Sequence, residues 1–178
     1  MIFEPLALTG CYLLKPRVFS DSRGGFVKPL VSSLLQAQGL RSDFVEQYYS
    51  TSNTGVIRGM HFQTPPHDHA KLVYCAAGGV TDVLLDLRRQ SPTYRQHISL
   101  PLSAANGVAV YIAAGVAHGF MATEAPALLV YNVTSEYAPE HDTGVRWDSF
   151  GYDWGLAQPI MSDRDRGFPA LNEFVSPF

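Results

Sequence analysis

The residues best suited to chemistry lie between Gly55 and Val73, where two cations and three histidines accompany a Pro-Pro pair. Arg58 and His61 are close in the chain, and Lys71 follows after the Pro-Pro corner. Apolar, strand-like residues border the stretch on both sides. Two neighbouring strands could therefore direct a guanidinium, an imidazole and an ammonium into one cavity.

These three residue types fit the removal of a proton next to a carbonyl group. Like charge nearby disfavours a protonated imidazole, so a histidine between two cations is a usable general base near neutral pH. A lysine ammonium stabilises an oxyanion as its charge develops, and the planar fork of arginine suits phosphate. The set predicts an enzyme that forms an enolate on a phosphorylated substrate.

Length and composition predict one domain with a sizeable core, because the chain has 178 residues and no break in composition. The formal charge of −3 gives no reason to expect nucleic acid or an anionic membrane as a partner. No signal-peptide pattern is evident, and no apolar stretch approaches the ~20 residues that span a bilayer. We therefore expect a soluble, cytoplasmic protein.

The pattern of short apolar segments predicts an all-β fold. One helix is expected at residues 32–39, with serine capping its start and glycine ending it. Close strands separated by Gly, Pro and Asn indicate a sandwich or barrel. A hairpin turn is expected at Gly78-Gly79, and a turn at residues 19–26 lies within an N-terminal arm of about residues 1–30. A C-terminal tail of about residues 148–178 is expected to wrap the outside. The strands are predicted at residues 44–50, 56–63, 72–77, 80–87, 94–100, 108–112, 119–122 and 128–137.

Residues 55–63, Gly-Val-Ile-Arg-Gly-Met-His-Phe-Gln, resemble the signature of the dTDP-4-dehydrorhamnose 3,5-epimerase family. The similarity extends over nearly the whole chain, because further family-like segments follow at the expected spacings. These segments include Phe19-x-Asp-x-Arg-Gly, Lys71-Leu-Val, Asp82-Val-x-x-Asp86, Gly115-x-Ala-His118-Gly-Phe, Tyr131, Tyr137-x-Pro139, Gly144-Val-Arg-Trp-Asp and Ser162-x-x-Asp165.

This resemblance implies a cupin-like double-stranded β-helix jelly roll with one or two short helices, formed by residues 1–178 as a single domain. It also implies a homodimer that acts without a metal or an organic cofactor. The implied substrate is a nucleotide diphosphate 4-keto-6-deoxyhexose, whose keto group acidifies the protons on C3 and C5. The implied activity is epimerisation in deoxysugar or cell-surface polysaccharide synthesis.

The resemblance also implies roles for individual residues. His61 removes the proton and is oriented by Asp165, Lys71 stabilises the enolate, and Tyr131 reprotonates from the opposite face. From residue types alone, Tyr131 reads as core and Asp165 as solvated surface, so their roles rest on the resemblance. The turn at Phe19 and Arg23 is expected to reach the partner subunit's site, and His97 and His141 are expected at the surface. The implied substrate-binding residues are Arg58 for the diphosphate, His118 for the sugar, and Phe19, Arg23, Lys28, Glu46, Gln47, Tyr48, Tyr137, Asp142 and Arg164.

Departures from the family pattern cluster among the expected nucleotide-binding residues. Lys28 stands where the family usually has Glu, and Glu46-Gln47-Tyr48 replaces Gln-x-Asn. Arg164 replaces a lysine, and Asp142 replaces a glutamate. An acid exchanged for a base at 28, together with an amide exchanged for an acid at 46, inverts the local hydrogen bonding. The identity of the nucleotide therefore does not follow from the resemblance.

Three alternatives remain open: a 3,4-keto-isomerase of the same kind of sugar, a metal-dependent cupin, and a cupin that binds nucleotide sugars without catalysis. For the second, His67, His69 and His118 supply three imidazoles that could hold zinc, nickel or iron. The glutamate that cupins usually add to such a set is missing. Retention of the catalytic set favours epimerisation, but the sequence does not decide between C3, C5 or both.

Overall fold

The computed structural model describes residues 1–178, and strands account for most of its regular structure. Two short helices accompany them, which confirms the prediction of an all-β protein with one or two helices. In chain order the elements are β1 (Ile2–Pro5), β2 (Tyr12–Lys15), β3 (Val18–Asp21), β4 (Gly24–Val27), α1 (Ser32–Ala37), β5 (Glu46–Ser52), β6 (Ile57–Gln63), β7 (Lys71–Asp86), β8 (His97–Ser103), β9 (Ala109–Ile112), β10 (Val116–Val133), β11 (Asp142–Gly144) and α2 (Asp163–Arg166).

The two longest strands, β7 and β10, divide an antiparallel sheet into two layers. Residues 71–74 of β7 pair with β9, whereas residues 79–85 pair with β8. Residues 127–133 of β10 pair with β5, whereas residues 118–121 pair with β6. One layer therefore has the order β1-β2-β9-β7-β10-β5, and the other has the order β8-β7-β10-β6-β11. This arrangement is the jelly roll that the family resemblance implies.

The layers meet at Gly78-Gly79, where the sequence-based prediction of a hairpin turn is wrong because β7 continues through both glycines. Gly78 has a φ of +66°, and a Cβ there would lie 2.2 Å from the carbonyl oxygen of Glu124. The register of β10 shifts opposite this point, between Ala122 and Leu129. Glycine therefore lets the two central strands bend and cross closely. For the same reason, the segments 72–77 and 80–87, predicted as two strands, belong to the single strand β7. The predicted strands at 119–122 and 128–137 likewise fall on the single strand β10, which ends at Val133.

Two further predicted boundaries differ from the structure. The helix is confirmed at Ser32–Ala37, but its N-cap is Val31 and no side chain caps it. The strand expected from residue 94 begins at His97. Hydroxyls of Ser91 and Thr93 instead bond to an Asp86 carboxylate oxygen at 2.6 and 2.7 Å and hold the chain in turns.

The largest hydrophobic core lies on strand faces shared by both layers, and includes Val73, Leu84 and Phe120. Side chains two positions apart on a strand share a face. Lys71 therefore points to the same side as Val73, and His118 to the same side as Phe120; both polar residues are buried. Part of the jelly-roll interior is thus polar, and the candidate site lies in this polar part.

The two ends of the chain pack differently. β1 and β2 extend one layer through β9, whereas β3 and β4 pair only with each other. Beyond residue 148 the chain is irregular apart from α2, and Trp154 and Leu171 pack in a second core with Ile57 and Met60 of β6. No helix is both long and apolar enough to cross a membrane.

Candidate active site

Two adjoining cavities occupy the polar part of the interior, and they share Tyr48, His61 and Lys71 as lining residues. Because of these shared walls, we treat them as one candidate site. The Tyr131 cavity, of about 190 Å³, is lined by Tyr48, Ser50, Arg58, His61, Lys71, His118, Phe120 and Tyr131. The Arg164 cavity, of about 270 Å³, is lined by Glu46, Tyr48, His61, Phe62, Gln63, His69, Lys71, Val133, Ser135, Tyr137, Asp142 and Arg164.

His61 on β6 forms a pair with Asp165 on α2. The Nε2 atom of His61 lies 2.9 Å from Oδ1 of Asp165, while Oδ2 accepts a hydrogen bond from the backbone N–H of Gly59 at 3.1 Å. Ser162 caps α2 by accepting from the N–H of Asp165. Burial raises the pKa of Asp165, but the hydrogen bonds from His61, Gly59 and Ser162 outweigh it and hold the pKa below its usual value. An ionised Asp165 accepts from Nε2–H, which leaves Nδ1 with the lone pair.

Lys71 begins β7 and is only 5% exposed. Its ammonium donates to the carbonyl oxygen of His61 at 3.2 Å and so lies beside the imidazole. Burial lowers the pKa of Lys71 to about 8, and this fall is opposed by the charges of Asp142 and Asp82. The side chain is therefore mostly charged at pH 7, in surroundings where a charge acts strongly on a neighbouring oxyanion.

Tyr131 lies on β10 and is 6% exposed. Its ring stacks on Tyr48 with centroids 4.6 Å apart, and it meets the His118 ring edge-on with centroids 5.9 Å apart. Burial raises the pKa of Tyr131, which remains a protonated phenol. His118 is held from behind by Asp82, whose Oδ1 lies 2.7 Å from Nε2. The phenol and the imidazole of His61 thus line the same cavity from different strands.

Charged side chains surround both cavities. Arg58 donates to Ser52 Oγ at 3.0 Å and to the carbonyl oxygen of Thr51 at 3.0 Å, which fixes its guanidinium beside the Tyr131 cavity. Arg164 forms an ion pair with Asp142 at 2.6 Å. Arg58 makes no ion pair with a carboxylate, so it has capacity left for an anionic ligand.

Glu46 and Tyr48 project into the site because they alternate with outward-facing residues of β5. Gln47 lies between them, bonds to Asn132 at 2.8 Å and is absent from the lining of either cavity. The structure therefore does not bring Gln47 to the other predicted residues, because the alternation of the strand turns it to the other face. Glu46 accepts a hydrogen bond from the backbone N–H of Tyr137 at 2.7 Å, which fixes the loop above the Arg164 cavity.

The β3–β4 hairpin lies apart from both cavities of its own chain. Phe19 packs against Phe26, Arg23 pairs with Asp21 at 2.6 Å, and Lys28 lies over the Phe26 ring. Because this hairpin pairs with no other strand, nothing in the chain draws it towards the site. The structure therefore does not bring Phe19, Arg23 and Lys28 to the other predicted residues.

The histidines outside the pair with Asp165 have separate roles. His69 Nδ1 lies 2.9 Å from Ser135 Oγ, while His118 bonds to Asp82, and no three His, Cys, Asp or Glu residues are arranged to hold a metal. The ligand set of the metal-dependent alternative is thus not assembled. His97 and His141 are half-buried, not at the surface as expected, because His97 packs against Phe150 and His141 bonds to Thr64.

Several residues of the site were missed from the sequence. Ser50 shares the inward face of β5 with Glu46 and Tyr48, so strand alternation could have found it. Asp82 was named only as part of a family-like segment, and its partner His118 lies on a different strand. Phe168, which meets the ring of His61 edge-on at 5.8 Å, carries no recognisable signal in the sequence.

The comparison with protein families decides between the alternatives. A family model described as dTDP-4-dehydrorhamnose 3,5-epimerase matches residues 5–173. The chain belongs to this family. Membership confirms the prediction of an isomerase of the nucleotide-sugar epimerase type, and the keto-isomerase, metal-dependent and non-catalytic alternatives are not favoured.

Individual members of the epimerase family agree over almost the whole length. The dTDP-4-dehydrorhamnose 3,5-epimerase of Sinorhizobium fredii is 36% identical, with 100% of this chain and 93% of the relative covered. The Bacillus anthracis enzyme, solved with TDP and PPi bound, is 36% identical with a TM-score of 0.92, covering 96% of this chain and 99% of its own. A Legionella pneumophila epimerase solved with dTDP-4-keto-L-rhamnose is 31% identical with a TM-score of 0.91, covering 96% and 93%. These likenesses confirm the cupin-like jelly roll.

Proposed function

We propose that this epimerase inverts C3 and C5 of a nucleotide diphosphate 4-keto-6-deoxyhexose through enolate intermediates. The observation that carries the proposal is the Tyr131 cavity, where His61, Lys71, Tyr131 and Arg58 line one space. The Bacillus and Legionella relatives contain a thymidine nucleotide and a dTDP-linked keto sugar, which supports a nucleotide-sugar substrate.

His61 is the proposed base. Asp165 holds Nε2–H and leaves Nδ1 to take the proton from the carbon next to the keto group. As the imidazole becomes positive, the buried carboxylate 2.9 Å away stabilises it. Because the sugar keto group withdraws electrons, the electrons of the broken C–H bond move onto its oxygen.

Lys71 is the proposed partner of that oxygen. A buried ammonium next to the base stabilises the enolate where the charge appears, and removing such a donor from an enzyme costs about 10²–10³-fold in rate. Its pKa of about 8 leaves it mostly protonated at pH 7. Lys71 thus acts as a charge stabiliser in this proposal, and His61 acts as the base.

Tyr131 is the proposed acid. Burial raises its pKa, so the phenol holds its proton until the enolate carbon takes it. Delivery from the face opposite His61 inverts the carbon; solvent then reprotonates the phenolate and takes up the proton from His61. The same pair of groups acts at the second carbon after the sugar has shifted in the cavity.

The remaining predicted residues are proposed to hold the substrate. Arg58 binds the diphosphate through the N–H groups that its two protein contacts leave free, and His118 lines the sugar pocket. The β3–β4 hairpin of a partner subunit completes the nucleotide site with Phe19, Arg23 and Lys28. The proposed nucleotide contacts in the Arg164 cavity are Glu46, Tyr48, Tyr137, Asp142 and Arg164.

The proposal extends to the state of the protein. We propose that residues 1–178 form one cupin-like epimerase domain, that two chains form a homodimer, and that the enzyme works in the cytoplasm on deoxysugars. No metal or organic cofactor takes part in the proposed steps, because a carbonyl group already in the substrate acidifies the protons.

The test is proton exchange in D2O, followed at C3 and C5 by proton NMR. The purified protein is incubated in turn with the dTDP-, CDP-, UDP- and GDP-linked 4-keto-6-deoxyglucose. We expect exchange and inversion at both carbons with one preferred nucleotide. Exchange at one carbon only would make the protein a mono-epimerase, and no exchange with any of the four would contradict the proposal. A His61→Asn variant is the matched control for background exchange.

A further inference from the structure

Tyr131 has few hydrogen bonds to hold its phenol in place. Its only polar contact within the chain is with Ser50 Oγ at 3.4 Å, at the long limit for a hydrogen bond between two hydroxyls. An acid that must deliver a proton to one face of a sugar needs a defined direction. The direction of the phenol is therefore determined mainly by what packs against its ring.

Tyr48 supplies the closest of the ring contacts. The two tyrosines face each other directly in the antiparallel register of β5 and β10. Their rings are inclined by only 15°, with centroids 4.6 Å apart. Side chains directly opposite each other on antiparallel strands interact closely. Aromatic pairs in this position add stabilisation beyond the area that they bury. His118 contacts the same ring only edge-on, at 5.9 Å.

Tyr48 is also exposed to the site, since 40% of it remains accessible and it lines both cavities. Burial raises the pKa of Tyr48 to about 12, with further increases from the charges of Glu46 and Asp142, so its ring stays neutral. A neutral ring stacks on Tyr131 without competing as a base. Tyr48 therefore forms part of the wall of the site and stacks on Tyr131, the proposed acid.

We propose that Tyr48 is a positioning residue for Tyr131, whose stacked ring aims the phenol at the enolate carbon and thereby enforces inversion. This inference rests on the proposed function, because it assumes that Tyr131 is the acid. It assigns the effect to the ring face of Tyr48 and not to its hydroxyl.

The enolate has two fates that separate this role from a merely structural one. His61 takes the proton from carbon, and the C–H electron pair moves into a C=C bond as the carbonyl electrons move onto oxygen. If Tyr131 then delivers its O–H proton to the opposite face, the carbon is inverted and the phenolate regains a proton from solvent. If Tyr131 is misdirected, protonated His61, whose side chain is 30% exposed, exchanges its N–H proton with solvent and returns a solvent hydrogen to the original face. In D2O that second route gives deuterated sugar with retained configuration.

The experiment measures the ratio of exchange with retention to inversion, by proton NMR in D2O with the nucleotide sugar that the wild type prefers. Tyr48→Leu removes the ring face but keeps apolar bulk, and Tyr48→Asn is a second variant without the ring. We expect the ratio to rise about three- to tenfold in both, as the loss of a stacked aromatic pair predicts. Tyr48→Phe keeps the ring, so its ratio is expected to stay within about twofold of wild type by the same reasoning.

Tyr49→Leu is the matched control, because Tyr49 is the next residue of β5, lies on the opposite face and is 70% exposed. Its ratio should equal that of the wild type. The ratio comes from folded, active molecules only, so partial unfolding of a variant lowers the total signal without changing it.

Three results would overturn the inference: an unchanged ratio in Tyr48→Leu and Tyr48→Asn, a rise in Tyr48→Phe as large as in Tyr48→Leu, or an equal rise in Tyr49→Leu. Tyr131→Phe tests the proposed function separately. If that variant still inverts carbon at the wild-type rate, Tyr131 is not the acid and the proposed function fails. If it exchanges without inversion while the Tyr48 ratios stay unchanged, only the role of Tyr48 fails.

Discussion

The substitution Asp165→Asn tests how the protein makes His61 a base. The amide has nearly the shape of the carboxylate and removes the charge next to the imidazole, but only its oxygen accepts hydrogen bonds. If that oxygen keeps the N–H of Gly59, the NH2 group faces Nε2 of His61 and favours the tautomer with its proton on Nδ1, so the electrostatic loss is a lower bound. With an effective dielectric constant of about 20, unit charges 2.9 Å apart attract by about 6 kcal/mol. Roughly half of the positive charge has developed at the transition state, so about 3 kcal/mol enters the barrier, equivalent to about a 10²-fold loss in kcat.

The assay for Asp165→Asn is the initial rate of deuterium exchange at C3, measured at saturating substrate to report kcat. Asp163→Asn is the control, because Asp163 lies on the same helix but is exposed and has no contact with His61. We expect the control to exchange at the wild-type rate. A loss of less than about fivefold in Asp165→Asn, with the native fold retained, would refute the electrostatic argument, because it corresponds to under about 1 kcal/mol.

Three further predictions concern charge and backbone. Burial lowers the pKa of Lys71 to about 8, so kcat should fall as the pH rises above about 8 and the ammonium loses its proton. Lys71→Met should lower kcat by about 10²-fold and remove this alkaline limb from the pH–rate profile. Burial raises the pKa of Asp86, but hydrogen bonds led by Arg88 bring it down to about 2 from 3.8. This carboxylate therefore stabilises the fold above pH 3.8 and loses the effect as the pH falls towards 2. In urea unfolding, Asp86→Asn should have a free energy of unfolding about 2 kcal/mol below that of the wild type at pH 7, and this difference should nearly vanish near pH 2. Gly59→Ala should lower stability by at least about 3 kcal/mol, since its Cβ would lie 2.5 Å from Gly119 Cα; Gly151→Ala, equally at positive φ but with open space around it, should lose only about 1–2 kcal/mol in the same thermal or urea unfolding.

Residue types and spacing predicted one part of the site well. Arg58, His61 and Lys71 lie near one another in the chain and line one cavity, as expected. The expectation that they lie on neighbouring strands is wrong, because β10 separates β6 from β7 in the sheet. Their chemistry was readable because the signal was local. The fold class was readable for a similar reason, since short apolar segments between Gly, Pro and Asn are typical of a β-sandwich or barrel.

The partners supplied by distant segments could not be read from local patterns. Asp165 lies in a polar run that resembles solvated surface, and only the packing of α2 against β6 buries it beside His61. In the sequence Tyr131 resembles any core tyrosine. Only the folded structure shows that it lines a cavity. The resemblance to the epimerase family predicted both residues, and their roles remain proposals.

The errors have physical causes as well. Gly78-Gly79 has the composition of a hairpin turn, but the same freedom at positive φ also permits a bend within a continuous strand. Which one forms depends on β10, a strand far along the chain. Gln47, whose role stays a prediction, lies on the opposite face of β5 from Glu46 and Tyr48, because side chains alternate strictly along a strand.

In the proposed mechanism, His61 and Tyr131 act on opposite faces of the same enolate. The most direct measurement compares His61→Asn and Tyr131→Phe in D2O, with exchange and inversion at C3 and C5 scored separately. We expect His61→Asn to lose both exchange and inversion, whereas Tyr131→Phe should keep exchange and lose inversion. Exchange that persists in His61→Asn, or inversion that persists in Tyr131→Phe, would contradict it.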